Sequence, residues 1–138
     1  MAIDSLTVEK AIAAAELQTS GELRVHIETT CKGDVMDRAS VVFAALKMHK
    51  TEARNGVLVY LSTEDRKFAI LGDMGINEKV DDGFWQETYD VALTLLKGGD
   101  WTEALCRTVV SCGEQLKAYF PYVEGDVDEL DNSVSWGD

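Results

Sequence analysis

The chain has 138 residues, of which 46% are apolar and only one is proline, and it carries a formal charge of -12. A chain of this length folds as one domain around one core and buries roughly two-thirds of the surface that it exposes when unfolded. The excess of acidic residues argues against binding to a nucleic-acid backbone, because proteins that bind one need a basic surface.

The acidic charge is concentrated near the end of the sequence. The stretch from Tyr122, "YVEGDVDELDNSVSWGD", contains six acidic residues and no basic one. A segment of this composition buries too little apolar area to offset the entropy that ordering would cost. We therefore predict a domain over residues 1–121 and a disordered acidic tail over residues 122–138, in which Trp136 is a candidate docking residue.

Three features of the sequence bear on the cellular compartment of the protein. The first residues include Asp4, Glu9 and Lys10 where a secretory signal needs an unbroken apolar stretch, and no later stretch approaches the length of a membrane span. Three cysteines cannot all pair, and Cys106 and Cys112 point to different faces of a predicted helix. These features predict a cytoplasmic protein with reduced thiols and no membrane insertion.

Hydrophobic periodicity predicts the elements of the first half. Residues 7–18 have the spacing of a helix, with Thr7 as its cap. From Gly21, "GELRVHIET" alternates as a strand with one solvated face, and "GDVMDRASVVFAALKMHK" returns to helical spacing. A strand, a helix and a second strand form a right-handed crossover, so the strand "GVLVYL" is predicted to run parallel to the first one.

A hairpin follows in the sequence. "STEDRK" is too short to hold a helix, so residues 56–62 and 67–72 are predicted to form antiparallel strands. A turn centred on Glu64 and Asp65 gives partners whose numbers sum to 129, which places Gly56 opposite the acid at position 73.

Two more helices are predicted after the hairpin. Asp81 or Asp82 is expected to cap the first, which ends at a Gly-Gly pair, and Asp100 is expected to cap the second, which Pro121 terminates. Gly113 lies inside the second helix, where close packing is the expected reason for a glycine. The fold class is therefore α/β, with a small mixed sheet and helices on both faces.

Polar residues of three segments are predicted to meet at one edge of this sheet. The edge gathers the starts of the two parallel strands and the end of the antiparallel one. It holds Glu22 on the first strand, Thr51, Arg54 and Asn55 before the second, and Asp73 after the third. Two carboxylates with hydroxyl and amide oxygens nearby are what a hard cation such as calcium or magnesium requires.

Two alternatives stay open at this edge. Arg54 can simply pair with Asp73 or Glu22 and tie the loops together, with no ligand involved. Asp81 and Asp82 can complete a metal shell, or they can serve only as helix caps. The predicted metal ligands are Glu22, Asp73, Asp81 and Asp82, and the predicted contacts to a bound cofactor are Thr51, Arg54 and Asn55.

The sequence lacks the motifs that would identify an enzyme. It contains no EF-hand loop, no GxGxxG fingerprint, no Walker loop and no Cys-x5-Arg pattern. His26 is predicted to be a surface or packing residue, and His49 is predicted to interact with the negative end of a helix. No catalytic residue is therefore predicted.

An ordered series of short motifs resembles one known family. The stretches "TSGELRVHIE", "M-x2-T-x2-RNGVLVYL" and "KFAILGDMGI", followed by "FW", "GDW" and "YFP", resemble the TPM domain, in its small stand-alone bacterial branch. The resemblance covers about residues 4–121 and implies an α/β/α sandwich. The residues that match the motifs of the family are Glu22, Thr51, Arg54, Asn55 and Asp73.

The resemblance also bears on function. Some relatives bind divalent cations, one plant relative is described as an acid phosphatase, and others assist the assembly or modulation of membrane proteins. Together with the predicted edge, this implies a non-catalytic module that binds calcium or magnesium and assists other proteins. The alternative is a metal-assisted acid phosphatase that acts on phosphomonoesters. A protein partner is expected in the first case, and its identity stays open.

Overall fold

A computed structural model describes residues 3–122 and 133–137 of the chain. Ten elements follow one another, with a short 3-10 turn at Met48–Lys50 between α2 and β2. The other nine are α1 (Ser5–Glu16), β1 (Glu22–Glu28), α2 (Val35–Ala45), β2 (Gly56–Ser62), β3 (Lys67–Gly72), α3 (Met74–Asn77), α4 (Phe84–Lys97), α5 (Trp101–Tyr119) and β4 (Ser135–Trp136).

The four strands form one mixed sheet in the order β3-β2-β1-β4. β1 and β2 are parallel, and Glu22 is the register partner of Gly56. β2 and β3 are antiparallel, with Leu58 opposite Leu71, so the partners sum to 129 as predicted. The predicted parallel pairing of β1 with β2 and the predicted hairpin are both confirmed.

Helices cover both faces of the sheet, which confirms the α/β/α sandwich. α1, α4 and α5 pack on one face, over a core that includes Leu23, Val25 and Val59. α2 packs on the other face, over a second and smaller core that includes Phe43 and Leu58. The alternating side chains of the strands therefore enter two different cores.

The expectation of a solvated face on β1 is wrong. Glu22, His26 and Glu28 alternate with the apolar residues of β1 as predicted, yet all three are buried. At the end of β1 the reason is that Arg38 of α2 binds the carboxylate of Glu28. His26 is covered by residues 133–137, because the hydroxyl of Ser135 lies 2.8 Å from its Nδ1. The alternating polar residues of β1 thus form a buried polar layer. The sequence pattern alone had indicated that this face is exposed to solvent.

Two helix starts differ from prediction. α1 begins at Ser5 and is capped by Asp4, whose carboxylate accepts hydrogen bonds from the backbone and hydroxyl of Thr7. α4 begins after Gly83, which has a left-handed φ of 89°, so neither Asp81 nor Asp82 is its cap. A left-handed glycine can turn the chain into a helix without a side-chain cap.

The last helix largely follows the prediction. α5 begins after Asp100 and ends at Tyr119, although the Asp100 side chain makes no capping bond to any described residue. Gly113 packs against α1 as expected, because a Cβ added there would lie 2.9 Å from Cβ of Ala15. Over the described residues, none of the helices combines the length and the apolar character that crossing a bilayer needs.

Residues 133–137 fall within the segment that was expected to be disordered, yet they contain a strand. β4 runs parallel to β1, with Ser135 beside His26 and Trp136 beside Ile27. The physical reason is that Val134 is buried in the larger core, which provides apolar burial that the acidic composition does not suggest. Residues 123–132 and 138, the rest of the predicted tail, lie outside the described residues.

Candidate functional site

The predicted strand ends lie side by side at one edge of the sheet. Gly56, the first residue of β2, is the register partner of Glu22 on one side. On its other side, its carbonyl accepts a 2.9 Å hydrogen bond from the backbone N–H of Asp73. Glu22, Gly56 and Asp73 therefore form a row across three neighbouring strands, as chain direction alone predicted.

Arg54 and Asp73 form a two-pronged ion pair within this edge. Nε of Arg54 lies 2.6 Å from Oδ2 of Asp73, and Nη2 lies 2.8 Å from Oδ1. Asp73 also accepts a 2.8 Å hydrogen bond from the N–H of Met74, at the start of α3. The hydrogen bonds that Arg54 donates to Asp73 raise the pKa of Arg54. Arg54 thus pairs with Asp73, which is one of the two acids that the sequence allowed. This ion pair joins the two loops without any ligand.

Four polar residues of the edge are buried. The exposed fraction is 3% for Glu22, 8% for Asp73, 6% for Thr51 and 2% for Asn55. Thr51 ends the 3-10 turn, and its buried Oγ1 has no hydrogen-bond partner within the described residues. Because a buried hydroxyl is normally hydrogen-bonded, the Thr51 oxygen has unused capacity to bind a water molecule or a ligand.

Asp81 and Asp82 are placed differently from the other predicted metal ligands. Both are exposed, in the connection between α3 and α4. Over residues 3–122 and 133–137, no group of three or more His, Cys, Asp or Glu side chains is arranged to hold a metal ion. A cation at the edge would thus rely on Glu22 and Asp73 together with the neutral oxygens of Thr51 and Asn55.

Glycines on both sides of Asp73 allow the edge to close. A Cβ on Gly75 would lie 2.1 Å from the carbonyl oxygen of Ala53 and 2.6 Å from that of Arg54. The N–H of Gly75 donates a 2.8 Å hydrogen bond to the Arg54 carbonyl. On the other side, a Cβ on Gly72 would lie 2.6 Å from the Trp85 ring. The loop before β2 and the start of α3 therefore touch backbone to backbone.

A second polar cluster lies on the α2 side of the sheet, and sequence reasoning missed it. The carboxylate of Glu28 accepts hydrogen bonds from Nε and Nη2 of Arg38, at 2.6 and 2.8 Å. It also accepts one from the hydroxyl of Tyr60, and it lies 3.1 Å from Nε2 of His26. The rings of His26 and Tyr60 stack with centroids 5.9 Å apart. We call these four residues the Glu28 cluster.

Charge and burial define the chemistry of the Glu28 cluster. Hydrogen bonds from Arg38, and then those from Tyr60 and His26, lower the pKa of Glu28 to about 2 against the opposing effect of burial. Burial, followed by the hydrogen bond to Glu28, raises the pKa of Tyr60. The cluster is therefore a satisfied ionic network at neutral pH. The parallel pairing of β1 with β2 was predicted, but neither the register that pairs His26 with Tyr60 nor the position of Arg38 was.

Comparisons with known proteins agree with the fold and with the family that the sequence motifs resemble. A family model described as the TPM domain matches residues 3–115. The NMR structure of the BA42 protein from the psychrophilic bacterium Bizionia argentinensis sp. nov. matches with a TM-score of 0.88 and 44% sequence identity, over 96% of this chain and 92% of that chain. None of the curated proteins matches this chain. Because the family model spans most of the sequence, the chain belongs to the TPM domain family.

Proposed function

We propose that this TPM domain is a non-catalytic module that binds a divalent cation, calcium or magnesium, at the edge that Glu22 and Asp73 share. The observation that carries the proposal is the buried Oγ1 of Thr51, which lacks a hydrogen-bond partner within the described residues. Carboxylate, hydroxyl and amide oxygens are the ligands that hard cations take in proteins, and Asn55 adds the amide. The overall charge of -12 also favours the approach of a cation.

Arg54 competes with a cation for the carboxylate of Asp73. Its guanidinium binds both oxygens of Asp73, so an incoming cation has to share the carboxylate or displace the arginine. The Arg54 side chain is 40% exposed, so it can move into water without a large desolvation change. Arg54 thus lowers the affinity of the site and keeps the edge ordered when no cation is bound.

Calorimetric titration of the full chain with calcium and with magnesium tests the proposal. Saturable binding is expected for the natural sequence, and Asp73→Asn or Glu22→Gln is expected to weaken it about tenfold or more, because each removes a charged ligand. Arg54→Gln is expected to tighten binding, because it removes the competing guanidinium.

Glu114→Gln serves as the matched control, because Glu114 is an exposed carboxylate on α5. It should bind cations as the natural sequence does, and circular dichroism should show that all four variants are folded. Absence of binding by the natural sequence at millimolar cation would contradict the proposal. So would a loss of affinity in Glu114→Gln as large as that in Asp73→Asn.

Hydrolysis of phosphomonoesters is a second candidate function, and the geometry of Arg54 favours it. Asp73 binds Nε and Nη2, which leaves Nη1 of this partly exposed side chain for a phosphate oxygen. A cation at Asp73 would then polarise the phosphoryl group. This function requires that Arg54→Gln abolish the hydrolysis of a chromogenic phosphomonoester. Hydrolysis by the natural sequence that Arg54→Gln abolishes would support this function, whereas a site that only binds cations gives no hydrolysis with either chain.

The proposal extends to a protein partner and a reducing compartment. The resemblance to modulatory relatives supports a partner, and the charge of -12 argues against nucleic acid in that role. All three cysteines are unpaired, and burial raises the pKa of Cys112 to about 12. Unpaired thiols are typical of the cytoplasm, where we place the protein.

A further inference from the structure

Residues 133–137 lie against the edge of β1 in the way that a bound peptide lies against a receptor. The backbone N–H of Gly137 donates a 2.7 Å hydrogen bond to the carbonyl of Ile27. The N–H of Val134 donates a 2.9 Å hydrogen bond to Oε2 of Glu9, which belongs to α1. Val134 itself is buried in the larger core. The addition of an extended strand to a sheet edge is a common way of recognising peptides.

The contacts of this segment define a sequence preference. The hydroxyl of Ser135 lies 2.8 Å from Nδ1 of His26, whose other nitrogen faces Glu28. A Cβ on Gly137 would lie 2.5 Å from Oε1 of Glu28 and 3.0 Å from Nε2 of His26, so only glycine fits without displacing the Glu28 cluster. Trp136 is 57% exposed and adds little selection. The preferred pattern is an aliphatic residue, a serine, a variable residue and a glycine.

The strand in this segment is short. Its strand pairs with β1 at two positions only, and Val134 is its one buried apolar side chain. An isolated two-residue pairing contributes little stability, and a strand edge that loses its partner can accept another. The same surface can therefore exchange one extended segment for another of the same pattern.

We propose that the edge of β1 beside the Glu28 cluster is a peptide-docking site, filled within one chain by residues 133–137, and that its occupant in trans is the same segment of a second copy. A second copy carries by necessity the pattern that the site selects. Exchange of an identical element between copies is a low-cost route to association. This site is separate from the proposed cation edge and does not depend on it.

NMR titration of the full chain tests the proposal. The experiment uses the full chain with Gly137→Val, isotope-labelled. Residues 133–137 of this variant should leave the site. The amide signals of residues 25–28 should then differ from those of the natural sequence. An unlabelled peptide of residues 131–138 should then restore those signals, with half-saturation at about 1 mM or below. The same peptide carrying Gly137→Val is the matched control and should restore nothing.

A second variant guards against incomplete release of the segment. Val134→Asp places a charge in the larger core and should release the segment by a different route, with the same rescue by peptide. The proposal is overturned if both variants keep the natural amide signals of residues 25–28. It is equally overturned if millimolar peptide restores neither variant, or if the control peptide restores them as well as the natural one does.

Discussion

Gly75→Ala is expected to lower the free energy of unfolding by about 2–4 kcal/mol, as measured by urea denaturation. The Cβ of alanine would lie 2.1 Å from the carbonyl oxygen of Ala53 and 2.6 Å from that of Arg54. Both neighbours are backbone atoms, so the loop before β2 and α3 have to separate. Their separation also weakens the hydrogen bond from the Gly75 N–H to the Arg54 carbonyl.

Gly98→Ala is the control for this prediction. A Cβ there would meet its nearest atoms at 3.5 and 3.6 Å, which is ordinary contact, and Gly98 has a right-handed φ of -79°. This variant should be unchanged or more stable by up to about 1 kcal/mol, because alanine restricts the unfolded chain. Equal stability of the Gly75 and Gly98 variants would mean that the close approach at the edge is absent in solution.

Glu28→Ala is expected to cost about 2–4 kcal/mol of folding stability. The substitution removes the acceptor for Arg38, for the hydroxyl of Tyr60 and for His26 at once. Breaking a buried ion pair costs about 3–5 kcal/mol, and the Arg38 side chain, which is 41% exposed, recovers part of that by returning to water. Tyr60 is fully buried, so its hydroxyl cannot replace the lost hydrogen bond with one to water.

The dependence of this effect on pH identifies its cause. The pKa of Glu28 falls from 4.5 to about 2 in the folded chain, so its contribution to stability is complete above pH 4.5 and is lost as the pH falls through 2. The full shift corresponds to roughly 3 kcal/mol. The stability difference between the natural sequence and Glu28→Ala should therefore shrink over this range. Glu114→Ala, on an exposed carboxylate, should stay within about 0.5 kcal/mol of the natural sequence throughout. A difference that does not change with pH would show that packing, and not charge, is lost.

The sequence was sufficient to predict the sheet edge. Alternation and the length of the connections determined the chain direction, and the short turn determined the register that brings Asp73 beside Gly56. Alternation, connection length and turn length are local signals, and each one reduces the number of strand arrangements that the next one has to decide between. The sequence allowed Arg54 to pair with either Asp73 or Glu22. Chain direction brings both acids to the same edge and does not determine which of them Arg54 binds.

The Glu28 cluster and β4 could not be predicted in the same way. The cluster depends on where Arg38 of α2 lies over the sheet, and hydrophobic periodicity does not say which helix residue meets which strand residue. β4 was missed because composition averages over a segment, whereas a single buried valine and a two-residue pairing suffice to dock it. The cap of α4 was missed because a left-handed glycine replaced the acids that usually serve there.

The most direct test of cation binding at the edge is an amide NMR titration of the natural chain with calcium and magnesium up to millimolar concentration. The proposal predicts saturable shifts confined to residues 19–22, 51–55 and 72–77, with residues 25–28 of β1 unchanged. Signals of the three edge segments that stay still at millimolar cation, or shifts that are spread evenly over the acidic surface, would contradict it.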